Sequence, residues 1–277
     1  DVLRALDLAD DAYGRARAVA AETALSQIVH EVYRQSLGPI SHEQASAEPI
    51  HRLFYERLID PATGAYPGGR LASFYVGKPF RFPGAELTWE QFAGARLVIN
   101  GIAYRDTVGQ LFERAHRRLH PALLADAGGV VAHGDAHNAN VWYTDGAEAA
   151  VLSFFDPAFA GAHVPTLLAE VKTTFHNILA HPLWLYDPEV AETRYEARAQ
   201  FRDGTLSVET NWTLSPVRRD LLAVKADKAW RPLLQPLKDR GLLPTDWRDV
   251  VRLALFLCPT LVMNLRADAG RHNPTSS

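Results

Sequence analysis

Val130-Val131-Ala132-His133-Gly134-Asp135-Ala136-His137-Asn138-Ala139-Asn140-Val141-Trp142-Tyr143 is the stretch on which the fold turns. Short apolar runs at both ends read as strands, so the polar residues between them, His133 to Asn140, form a loop framed by strands. That loop concentrates two imidazoles, one carboxylate and two amides. Further along, the apolar run Ala149 to Phe155 reads as another strand, joined to Val141-Trp142-Tyr143 through Asp145-Gly146. It ends at Asp156, in Phe154-Phe155-Asp156-Pro157. A carboxylate set among aromatic and small residues needs a cation or hydrogen-bond donors, because burying an unpaired charge is costly.

Phosphoryl transfer to a hydroxyl requires a group that takes the nucleophile's proton, Mg²⁺ to offset the charge of a triphosphate, and hard oxygen ligands for that metal. One loop and one strand end supply all three. In this reading Asp135 faces the acceptor hydroxyl, while the amide oxygen of Asn140 turns toward a metal shared with Asp156. Two other chemistries draw on nearby residues. His133, Asp135 and His137 alternate on an extended segment and point the same way, which suits zinc and a metal-dependent hydrolase, with His163, His176 and His181 as distant candidates. A serine hydrolase is disfavoured, since no Gly-x-Ser-x-Gly elbow is present and Ser153 lies inside an apolar strand.

The pattern H-G-D-x-H-x-x-N, followed by a strand and an aspartate, resembles the aminoglycoside phosphotransferase and choline kinase group, relatives of the protein kinases. The resemblance covers mainly Val130 to Gly161. It implies ATP-dependent kinase chemistry on a hydroxyl of a small metabolite or antibiotic. By it, Asp135 is the catalytic aspartate, Asn140 and Asp156 are Mg²⁺ ligands, and His133 and His137 brace the nucleotide-handling loop. The fold it implies is α+β and protein-kinase-like, a mostly helical C-terminal lobe with a small β-containing insertion. Asn138-Ala139 stands where the family often has Pro-Gly, and Pro157 where it commonly has an aromatic residue; neither change removes a reacting group. No glycine-rich strand-turn-strand and no phosphate-pairing lysine is found: Pro61 to Gly69 has glycines without flanking strands, and Lys78 is followed by Pro79. Because Met263 is the only methionine, the expectation is that an ATP-covering N-terminal lobe, absent from this chain, precedes Asp1. The alternative is a catalytically inactive, kinase-like binding module.

With 277 residues and 47% hydrophobic side chains, the chain is long enough and apolar enough to fold around a real core. Its formal charge of -3 gives no field to recruit nucleic acid or an anionic membrane. The longest apolar stretch, Val250 to Leu265, is interrupted by Arg252 and Pro259 and is shorter than a membrane span. Cys258 is the only cysteine, so no internal disulfide forms, and a reducing, cytoplasmic location is the expectation. The partners expected are a nucleoside triphosphate and a small hydroxylated acceptor.

Outward from the loop, apolar spacing predicts helices over Val2 to Arg17 and Glu22 to Ser36, the second stopped by Gly38-Pro39. Leu71 to Val76 and Lys78 to Phe82 read as short strands, and Asn100-Gly101 as the turn of a hairpin. Thr107 to His120 is an amphipathic helix. Everything from Pro165 onward is helical in texture: Leu167 to Leu179, Pro188 to Phe201, Pro216 to Leu237 and Trp247 to Leu265. Three segments are expected: 1–40, a helical part of the catalytic lobe; 41–105, an irregular and β-hairpin insertion; and 106–277, the catalytic lobe proper. Trp184-Leu185-Tyr186 is a candidate lining for an acceptor pocket, although aromatic residues beside a proline also pack helix ends.

Overall fold

The computed structural model describes residues 2–180, 183, 187–267 and 269–276. Helices α1 (Val2–Leu8), α2 (Ala12–Ser36), α3 (His42–Ala47) and α4 (Gly69–Phe74) open the chain, with 3₁₀ turns at Pro49–Leu53 and Tyr55–Arg57. Then come β1 (Phe80–Phe82), β2 (Ala85–Leu87), α5 (Trp89–Gly94), β3 (Arg96–Ile99), β4 (Ile102–Ala103) and α6 (Val108–Arg118). Strands β5 (Gly129–Ala132), β6 (Val141–Asp145), β7 (Ala150–Phe154) and β8 (Gly161–Pro165) follow. Helix α7 (Val171–Thr174) runs into a π-turn at Phe175–Leu179. After α8 (Pro188–Arg194), β9 (Ala197–Arg202) and β10 (Thr205–Thr210), helix α9 (Pro216–Val224) runs into a second π-turn at Lys225–Trp230. Helices α10 (Arg231–Asp239) and α11 (Trp247–Val262) complete an α+β chain. No helix among the described residues is long and apolar enough to cross a membrane.

The chain divides into two compact units, each made of separated segments. The first comprises Asp1–His51, Leu119–Ala180 and Leu214–Leu255; the second comprises Arg52–Arg118, His181–Thr213 and Phe256–Ser277. These units cut across the expected segments 1–40, 41–105 and 106–277. Much of the supposed insertion does belong with the second unit, but so do α8, β9 and β10, because β10 pairs with β3 in one sheet.

In the first unit α2 packs against β5, β7 and α9. Its N-terminus is set by Asp11, whose side chain accepts from Gly14 N at 2.8 Å. The break between helices therefore falls at Ala9 to Asp11 and not between Arg17 and Glu22, where Ala18, Ala20 and Ala21 favour continued helix. Strand β5 pairs antiparallel with β8, with fully buried Val130 opposite Val164, and β6 pairs with β7 as the predicted hairpin. Helices α1 and α9 join the π-turn after α7 in an apolar cluster of Leu3, Ile178, Val217 and Leu221. A buried ion pair pins the same corner. Arg218 Nη2 and Nε lie 2.8 and 3.0 Å from Asp7 Oδ2, Arg218 Nη1 donates to Ala180 O at 2.6 Å, and Ser215 Oγ donates to Asp7 Oδ1.

In the second unit the sheet order is β4-β3-β10-β9, with β3 and β10 parallel, and β1 and β2 form a separate hairpin. The Asn100-Gly101 turn is present between β3 and β4, both residues having positive φ (48° and 78°) as a type I′ turn demands. Two expectations fail here. Leu71 to Val76 is not a strand: Leu71 and Tyr75, four residues apart, both turn inward from α4 and its end, and so short an apolar run has no period to separate the two structures. The stretch 197–210 is a hairpin and not helix, turned by Asp203-Gly204 with φ of 49° and 71°. Tyr75, Phe80, Trp89, Phe92, Phe112 and Phe256 form the aromatic core of this unit.

Replacing Asp7 with Ala leaves the Arg218 guanidinium buried without its carboxylate, so urea denaturation is expected to report a loss of about 3–5 kcal/mol. A loss under about 1 kcal/mol, the level of an exposed pair, would show that the pair does not hold α1 to α9.

Candidate active site

The loop after β5 turns at Gly134, whose φ is 76° and where an added Cβ would come within 2.5 Å of Phe159 O. Glycine is required there on both counts. The turn sends Asp135 inward, where it is only 7% exposed. Its Oδ1 is shut off from solvent and makes no hydrogen bond. Lys172 Nζ at 3.7 Å and His137 Nε2 at 3.6 Å face that oxygen.

The rest of the loop is stitched to the end of β7. Phe155 N donates to Asn140 O at 3.1 Å, and His133 Nε2 donates to Phe155 O at 2.8 Å. Asn140 Nδ2 in turn donates to Asp135 O at 2.9 Å. Phe155, the neighbour of Asp156 in the chain, is thus tied by its backbone to Asn140. Asp156 itself has φ of 55°, an uncommon conformation for any residue but glycine. Its carboxylate is exposed and makes no hydrogen bond or ion pair among the described residues.

His137 caps the short turn Asn138–Asn140, its Nδ1 accepting from Ala139 N at 3.2 Å. Burial pushes its pKa below the ordinary imidazole value. The charges of Lys172 and His133 act in the same direction, against Asp135 and Asp156. Beneath the loop, Asn177 Oδ1 accepts from Asn138 N at 2.9 Å, and the rings of His137 and His176 lie 4.7 Å apart.

All five residues singled out from sequence, His133, Asp135, His137, Asn140 and Asp156, therefore come together in the first unit. Lys172 and Asn177 were missed as parts of the site, and His176 was named only as a distant candidate for a zinc site. The available signal was a cluster of polar residues, Glu170, Lys172, His176 and Asn177, inside the helical segment Leu167 to Leu179. Trp184-Leu185-Tyr186 and His181 lie outside the described residues.

On the α2 side of the loop is a cavity of about 240 Å³, lined by Leu25, Val29, Val131, Gly134, Ala136 and Phe154 among others. Its base is a buried ionic cluster. Lys225 Nζ lies 2.9 Å from Glu22 Oε1 and 3.0 Å from Glu170 Oε2, and Tyr33 donates to Glu170 Oε1 at 2.7 Å. Burial works to lower the Lys225 pKa, but the two carboxylates outweigh it and hold the ammonium above its ordinary value. Burial and the charge of Glu170 keep the Tyr33 hydroxyl protonated, and so a donor.

Among the described residues no three His, Cys, Asp or Glu side chains are grouped to hold a metal ion. The pair Asn140 and Asp156 offers an amide and a carboxylate, hard oxygen donors of the kind Mg²⁺ takes when phosphate oxygens and water complete its shell. The unpaired Asp156 carboxylate, held in a left-handed backbone, fits that use. Comparison with protein-family models, with curated proteins and with solved structures finds no match to this chain.

The lowered pKa of His137 fixes the sign of one pH effect. As pH falls below about 6.5, the unfolded chain takes up the imidazole proton before the folded one does, so this group's contribution to stability is lost toward acid. Urea midpoints compared near pH 7.5 and pH 5.5 should therefore drop less in His137→Asn, which keeps an acceptor for Ala139 N, than in the unsubstituted protein. Equal drops would remove His137 as a source of acid sensitivity.

Proposed function

We propose that this chain carries the catalytic part of an ATP-dependent, Mg²⁺-using phosphotransferase, a small-molecule kinase acting on a hydroxyl of a metabolite or antibiotic. The single observation that carries the reading is the pair of hydrogen bonds joining the loop to the end of β7, through Asn140 and His133 to Phe155, the residue before Asp156, while Asp135 stays enclosed on the same loop. That is the division of labour direct transfer needs. The acceptor oxygen attacks the γ-phosphorus, the bond from that phosphorus to the β,γ-bridging oxygen breaks, ADP leaves, and the hydroxyl proton passes to Asp135.

Asn140 and Asp156 are the residues that would hold Mg²⁺, which when bound offsets the negative charge of the β- and γ-phosphates. His133 and His137 support the same reading as braces. His133 ties the loop to Phe155, and His137 caps the turn that carries Asn140. A protein-kinase-like catalytic lobe and a reducing, cytoplasmic setting belong to the proposal. The buried, unbridged Cys258 supports the second of these.

ADP release from Mg-ATP, measured against a panel of hydroxylated amines, amino acids and sugars, tests the activity. Asp135→Ala is expected to lower turnover by ~10²–10⁴, the usual weight of a general base. Asn140→Ala and Asp156→Ala are expected to raise the Mg²⁺ concentration needed for half-maximal rate. Unchanged turnover in Asp135→Ala would end the proposed mechanism.

A further inference from the structure

Lys172 is 2% exposed, on α7 directly beneath the loop. Taking an ammonium out of water is costly, so it has to be offset by the groups around it. Two of these groups are His176 and Asp135. Lys172 Nζ lies 3.0 Å from His176 Nε2, one turn further on, and 3.7 Å from Asp135 Oδ1.

The oxygen it faces is the sealed one. Oδ1 of Asp135 meets neither solvent nor a hydrogen-bond donor, while the side chain as a whole keeps 11% exposure. A carboxylate free to rotate about its last bond would present either oxygen, or neither, to an incoming hydroxyl. Here one oxygen is drawn toward a fixed ammonium and an imidazole, which leaves the other to meet that hydroxyl. The ammonium is itself held, by His176 on the same helix and by burial on every side.

We infer that Lys172, gripped by His176, is a positioning residue for Asp135. It fixes the rotation of the carboxylate so that Oδ2 meets the acceptor hydroxyl. The inference rests on the phosphotransferase reading and adds to it two residues outside the loop. The same short element reaches the loop a second time, through Asn177 to the backbone of Asn138, so the carboxylate and the chain that carries it are oriented from one support.

The test uses the full chain, with Mg-ATP as probe and ADP release read with water or the best acceptor of the hydroxylated panel. Lys172→Met should lower kcat by about 10²-fold, the scale of a misplaced reacting group, with KM for ATP changed less than about threefold. In an Asp135→Asn background the same substitution should cost nothing further, because a residue that acts only through Asp135 has nothing left to orient. Where Lys172→Met fails to fold, His176→Leu serves: it removes the acceptor that fixes the ammonium and should lower kcat about tenfold, with recovery in His176→Gln. A kcat within threefold of the unsubstituted protein in Lys172→Met or His176→Leu overturns the inference, as does a full additional loss in the Asp135→Asn background. No ADP release from the unsubstituted protein with any acceptor overturns the phosphotransferase reading and this inference together.

Discussion

Two backbone oxygens do most to define this site: that of Asn140, which accepts from Phe155 N, and that of Phe155, which accepts from His133. Between them they close a loop of chain onto the strand that follows it. Without that closure the polar residues of 133–140 would lie on a surface loop whose ends are fixed and whose middle is not. With it, Asp135, Asn140 and Asp156 are held by strands paired along their length, and each side chain inherits the rigidity of β5, β6 or β7.

The interior behind the loop is unusually ionic for a unit with an apolar core. Three carboxylates (Glu22, Asp135 and Glu170) and two lysines (172 and 225) are buried in it. They are arranged in two groups. Glu22, Glu170, Lys225 and Tyr33 are in direct contact at hydrogen-bond distances, which lets a desolvated cluster offset its own burial. Asp135 and Lys172 are further apart, at 3.7 Å, and the carboxylate oxygen between them is unsatisfied. A tightly paired group is suited to holding structure. A loosely paired one, on a side chain that keeps some exposure, is suited to meeting something else.

Much of this was legible in the chain because the loop and its strands are contiguous. Strand, polar loop, hairpin and strand-end aspartate fall within 130–156, so local alternation and the Asp145-Gly146 turn were enough to draw them together. Lys172 was not legible in the same way. Lys172 stands among other polar residues of a helical segment, and only the fold shows that it is turned under Asp135. The second unit was harder to read for a related reason. Its sheet pairs β3 with β10, strands more than a hundred residues apart, and the helical texture around Pro188 hid the Asp203-Gly204 hairpin signal. The break between α1 and α2 shows a different case: a single capping side chain, Asp11, places it at Ala9 to Asp11, ahead of the position that apolar spacing suggests.

The π-turn at Phe175–Leu179 joins these points, since Ala180 N reaches back five residues to Phe175 O in place of four. An added residue in one turn advances everything downstream around the axis relative to a regular helix. Lys172 is ahead of that slip, and Asn177 and the apolar Ile178 are inside it. The helix can therefore aim a cation and an amide at the same loop while still delivering Ile178 to the cluster with Leu3 and Val217. Phase, and not only composition, decides which faces this segment offers. Shortening it by one residue would leave every side chain chemically intact and send the amide and the apolar anchor to the wrong neighbours.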